Sequence, residues 1–84
     1  MSILKVSITQ VKAARAMVGW SQDHLASASG VSIPTVKRLE AGTGQIGGRQ
    51  DTIDRLVGAL ETAGVIFIDE NGDGPGVRLR KSAK

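Results

Sequence analysis

The stretch Gln22–Ala41, QDHLASASGVSIPTVKRLEA, decides how this chain is read. It follows Ser21, whose hydroxyl suits a helix N-cap, and Trp20 and Leu25 hold the two positions of a hydrophobic staple. A helix over residues 22–28 then runs into Gly30, where a missing Cβ permits the left-handed backbone of a tight turn. Three or so residues on, Ser32 caps another helix. Val31 and Val36 are spaced as its staple, and Gly42 closes it. Pro34 falls in its first turn, where an absent N–H costs nothing. Ala26 is small at the point where two steeply crossed helices approach most closely, and Leu25, Val36 and Leu39 are apolar where both must meet a core. Each signal is weak alone. Caps, turn glycine and crossing alanine at one spacing define a helix-turn-helix.

Working outward, residues 1–8 read as a loose arm or short extended segment. Ser7, with Gln10 three positions later as a capping box, and Thr9 are both sound N-caps, and the choice between them stays open. Val11, Ala14 and Val18 recur at helical spacing, so residues 10–18 form a short amphipathic helix ending at Gly19. Downstream, GTGQIGGRQ over residues 42–50 reads as a loop. Its backbone N–H groups, with Arg49, either approach phosphates or simply connect two helices; no strand precedes it, so it is not a nucleotide-binding glycine motif. Asp51 is a good N-cap for a helix over 52–63, where Ile53, Leu56, Val57 and Leu60 share one face.

Gly64 ends that helix. Val65–Ile68 and Val77–Arg80 then read as two strands joined by DENGDGPG. Val77 and Leu79 alternate with Arg78 and Arg80, which gives the second strand one wet, basic face. The fold class expected is mostly α: a small helical bundle over 9–63 carrying the helix-turn-helix, with a C-terminal β-hairpin over 64–81. All of it belongs to one domain, 1–84.

Composition sets the bounds. At 84 residues and 8.8 kDa there is room for one core, and with no cysteine there is neither a disulfide framework nor a thiolate zinc site. An apolar share of 40% against 23% charged belongs to a globular chain. No run spans a bilayer and no signal sequence is evident, so a cytoplasmic protein without membrane contact is expected. One histidine, no cysteine, no tyrosine and no G-x-S-x-G or H-E-x-x-H pattern make an enzyme a poor reading, and no metal or other cofactor is expected. His24 stands alone and reads as a surface residue. Asp69, Asn71, Asp73 and Gly74 match the first half of a calcium loop, but its twelfth position is Arg80, so a turn explains them better. With two aromatics in the chain, recognition of single strands by stacked bases is disfavoured, and Trp20 reads as a core or staple residue.

Charge is unevenly placed within a net +3. Residues 1–42 hold five bases against two acids, residues 51–73 six acids against one base, and residues 77–84 four bases and no acid. This suits one surface that faces a polyanion and another that does not.

At these residues the chain resembles the Cro/lambda-repressor (XRE) helix-turn-helix family. The resemblance runs from Thr9 to Leu60 and rests on G-W-S-Q (19–22), L-A (25–26), S-G-V-S (29–32) and T-V-x-R-L-E-x-G (35–42). It implies a bundle of short helices that lays helix 32–41 in the major groove of double-stranded DNA, with the hairpin outside the shared bundle. By match to the family's contact positions, Ser32, Ile33, Pro34, Lys37 and Arg38 face DNA, Gln22 binds phosphate at the preceding helix's N-terminus, and Thr35 touches the backbone. Arg38 has the fork for a guanine edge, and Lys37 reaches either a base or a phosphate. Ile33 and Pro34 depart from the polar readers common there and offer apolar contact, most naturally to a thymine methyl. Arg15 and Glu40 match a family ion pair that orients the recognition helix.

The function this implies is a sequence-specific transcriptional regulator, expected to be a repressor. Val65, Ile66, Phe67 and Ile68 are apolar on both faces of their strand, more than a two-stranded ribbon alone buries, and are expected to form a homodimer interface. A two-fold dimer would set two recognition helices on the half-sites of an inverted-repeat operator. The rival reading is a protein-interaction module, such as an antitoxin that neutralises a toxin through the same apolar strand. Arg38 and Lys37 separate the two readings.

Overall fold

A computed structural model describes residues 6–42, 50–69 and 72–81. Their elements are α1 (Ile8–Met17), α2 (Gln22–Ser29), α3 (Ile33–Ala41), α4 (Gln50–Thr62), β1 (Val65–Ile68) and β2 (Gly76–Leu79).

The choice between two caps for α1 falls to Ser7. Its Oγ accepts from the Gln10 amide N–H at 3.1 Å, while the Gln10 Oε1 accepts from the Ser7 N–H at 2.9 Å, so both halves of the capping box are made. The helix therefore begins at Ile8, two residues ahead of the expected start, and Thr9 lies inside its first turn. It stops in a Schellman motif: the Gly19 N–H donates to the Ala16 carbonyl and the Trp20 N–H to the Arg15 carbonyl. That geometry requires the left-handed φ of +72° found at Gly19.

Ser21 caps α2 by accepting from the His24 N–H at 3.0 Å, and Gly30 closes it at φ +75° with its N–H on the Ala26 carbonyl. Ser32 caps α3 through the Thr35 N–H, with Pro34 in the first turn. The start of α4 corrects an expectation. Gln50 is already helical, so Asp51 is a first-turn residue and not the N-cap, at a position where a carboxylate complements the helix dipole.

One core joins these elements. Ile8, Val11 and Ala14 of α1, Leu25 of α2, Val36 of α3, Leu56 and Leu60 of α4 and Val65 of β1 are almost wholly removed from solvent. Val6, Leu39, Val31, Ala26 and Phe67 complete the buried apolar set, and Trp20 packs against it from the side. The helix-turn-helix is thus built where its alanine and its apolar positions said it should be.

The strands pair antiparallel with Val65 opposite Leu79 and Phe67 opposite Val77. The second strand starts at Gly76, one residue before the expected Val77, and ends at Leu79. Val77 is half-buried against the core, but Leu79 is 44% exposed, so the expected inward alternation stops after one residue. Leu79 lies over Gly64 at the open end of the hairpin, where the Arg80 N–H donates to the Gly64 carbonyl and closes the ribbon. At the other end the buried Gln10 carboxamide donates to the carbonyls of Ile68 and Gly76, which fastens the hairpin to α1.

Candidate nucleic-acid interface

Helix α3 has two unlike sides because residues advance roughly 100° per position. Val36, Leu39 and Glu40 point inward and are buried. Ile33, Pro34, Lys37 and Arg38 lie on the opposite side and are exposed, Ile33 by 39% despite its apolar side chain. Neither Lys37 nor Arg38 hydrogen-bonds or ion-pairs with any described residue, so both cations stand free. At the N-terminus the Ser32 hydroxyl donates to Thr35 Oγ1 at 2.8 Å, which ties together two of the expected contact residues.

Behind this surface lies a network centred on Glu40. Arg15 Nε donates to Glu40 Oε2 and Arg15 Nη2 to Glu40 Oε1, both at 2.9 Å, so the pair is bidentate. A third guanidinium donor, Arg15 Nη1, reaches the Trp20 carbonyl at 3.0 Å and so holds the entry to α2. Lys12 Nζ lies 3.5 Å from the Glu40 carbonyl oxygen, at the end of α3 where the helix dipole favours a cation. The ion pair expected between the first and third helices is therefore present, with Glu40 almost fully buried.

Gln22 is placed differently from its expected role. Its Nε2 donates inward to Glu40 Oε1 at 2.9 Å, so the half-buried carboxamide belongs to the network and not to the open surface. Arg49 lies outside the described residues, as does most of the glycine loop around it.

Of the four strand residues expected to form a dimer face, Val65 and Phe67 are buried in the chain's own core. They are not free to meet a second subunit; Ile66 and Ile68, half-buried on the other side of the ribbon, are the pair left for contact. Alternation explains the split, since neighbouring strand residues face opposite ways. His24 is exposed as expected, and its ring also stacks on Trp20 with centroids 4.4 Å apart and planes within 9°.

A family model described as helix-turn-helix matches residues 11–62. The chain belongs to this helix-turn-helix family. Membership covers α2, the turn, α3 and the whole Arg15–Glu40–Gln22 network, and it fits the Cro/lambda-repressor resemblance read from the same residues. The helix-turn-helix protein carries its hairpin beyond the matched span. A search of curated proteins gave no match. Among the described residues no helix is long and apolar enough to cross a membrane.

Proposed function

We propose that this helix-turn-helix protein is a sequence-specific transcriptional repressor that binds double-stranded DNA as a homodimer on an inverted repeat. The observation that carries the reading is the exposed side of α3, where two unpaired cations, Lys37 and Arg38, stand beside Ile33 and Pro34. A major groove admits a helix of this width, and its floor offers what these side chains recognise. Arg38 pairs with the O6 and N7 acceptors of a guanine, Lys37 reaches a base or phosphate, and Ile33 with Pro34 packs on a thymine methyl. Ser32 and Thr35 contact the sugar-phosphate backbone, as do the N–H groups at the start of α2. Arg49 supplies a further phosphate contact.

Dimerisation uses the hairpin, with Ile66 and Ile68 meeting their counterparts. Repression follows from occupancy of an operator that overlaps a promoter, in the cytoplasm and with no cofactor. Binding of labelled duplex from the upstream region of the protein's own gene, set beside an unrelated duplex across a salt series, tests the reading. Preference for the upstream duplex, falling steeply as salt rises, is the expected result. No binding even at low salt would favour a protein-interaction module such as an antitoxin instead.

A further inference from the structure

We infer that Gln22 is a positioning residue: its carboxamide bolts α2 to Glu40 and so fixes the rotation of α3 about its own axis. The inference rests on the DNA-binding reading and assigns Gln22 a role other than phosphate contact.

An ionised carboxylate only accepts hydrogen bonds, so Gln22 must present its NH2 group to Glu40. That commits the amide inward. Glu40 Oε1 then takes donors from two helices, Arg15 Nη2 of α1 and Gln22 Nε2 of α2, each at 2.9 Å, while Oε2 takes Arg15 Nε. A carboxylate on the inner side of α3 is therefore held from two separate directions. Phosphate anchoring at this end of α2 passes to the backbone N–H groups of Gln22 and Asp23, because the Ser21 hydroxyl serves the His24 N–H.

The apolar contacts of Val36 and Leu39 hold α3 against the core, but such contacts are non-directional and set its depth more firmly than its rotation. Hydrogen bonds are directional. Side chains reach roughly 5–6 Å from a helix axis, so a turn of about 20° would carry the Arg38 side chain about 2 Å sideways, beyond the tolerance of a bidentate base contact. Arg15 ties Glu40 to α1 and reaches α2 only at its entry, through the Trp20 carbonyl. Gln22 adds a bond from α2 itself to the same carboxylate.

The experiment uses the full chain with an operator duplex selected for the wild-type protein and an unrelated duplex of equal length. In Gln22→Leu, which keeps much of the volume and removes the donor, operator affinity falls about tenfold while unrelated-duplex affinity stays within about twofold. An equal loss on both duplexes identifies a phosphate contact and overturns the inference, as does an unchanged discrimination ratio. The exchange Gln22→Glu with Glu40→Gln supplies an independent arm. Gln22→Glu alone sets two carboxylates together. The exchange restores an amide–carboxylate bond with the roles reversed and leaves Arg15 an anion. The double variant is expected to melt above Gln22→Glu and to recover the discrimination ratio, even though a carboxylate moved to the start of α2 lowers affinity for both duplexes. Failure of both recoveries overturns the inference without reference to Gln22→Leu, should that variant not fold. A wild-type chain that binds neither duplex overturns the DNA reading and this role with it, whereas wild-type binding followed by even loss overturns only the role of Gln22.

Discussion

The Gln10 carboxamide donates to the Gly76 carbonyl oxygen at 3.0 Å across 66 positions of chain. The same nitrogen reaches the Ile68 carbonyl, and the amide oxygen closes the capping box on Ser7. One buried side chain thus starts α1 and fastens the hairpin to it. The family match covers residues 11–62, so this bond attaches a segment that lies beyond the matched span.

Gln10→Leu keeps the bulk and removes every one of these bonds. The Ser7 N–H loses its side-chain acceptor, and the carbonyls of the paired residues Ile68 and Gly76 each lose this donor, at about 1–3 kcal/mol for each group left buried without a partner. Urea denaturation is expected to show a loss of about 2–4 kcal/mol. Hydrogen exchange at the hairpin amides should quicken more than at α2. A denaturation midpoint equal to wild type would show that the hairpin is held by apolar packing alone.

Glu40→Ala removes the acceptor on which Arg15 and Gln22 converge. Breaking a buried pair by deleting one partner costs about 3–5 kcal/mol, and the partial exposure of Arg15 (23%) places this case near the lower end. Small domains are stable by only about 5–15 kcal/mol, so the loss is large. Thermal midpoint and operator affinity are expected to fall together. An unchanged midpoint with intact binding would contradict the placement of the pair at the heart of the bundle.

Arg38→Ala and Lys37→Ala should differ in kind. Arg38 on a guanine edge is worth about 1–3 kcal/mol of discrimination, so its loss relaxes preference at one base position. Lys37 on a phosphate would instead weaken binding to every sequence and lower the salt slope by about one. Titrations of both variants at several salt concentrations read these outcomes directly. If Lys37→Ala also relaxes preference at a base, that lysine reads sequence.

Local rules carried much of this structure and failed at identifiable places. Ser21, Gly30, Ser32 and Ala26 each act within a few residues, so their roles were legible before any contact was known. The Arg15–Glu40 pair was legible through its match to a family position, since nothing local links residues 25 apart. Gln10 read as a capping residue, and that reading was correct but complete only for its oxygen; the nitrogen's partners lie in another element. Gln22 was expected to face outward because it matches a family position that binds phosphate, yet Glu40 offered an acceptor that only the packed bundle brings near. The apolar run Val65–Ile68 could not declare its inner face by pattern, because all of its residues are apolar.

That ambiguity has a direct test at the hairpin. Phe67 is 8% exposed in the single chain, so Phe67→Ala opens a cavity in the core and is expected to cost about 3–5 kcal/mol whatever the oligomeric state. Ile66 lies half-buried opposite Arg78 on the other side of the ribbon. A charge there spares the core and places like charges across the strands, a penalty of a few tenths to about 1 kcal/mol. Ile66→Lys should therefore leave the fold intact while separating a dimer that meets through this face. Sedimentation at micromolar concentration is expected to show a wild-type dimer and an Ile66→Lys monomer of near-wild-type helicity. The monomer should bind a single half-site but lose its preference for the inverted repeat. A wild-type chain already monomeric at that concentration would remove the hairpin interface and leave Ile66 and Ile68 to a different protein partner.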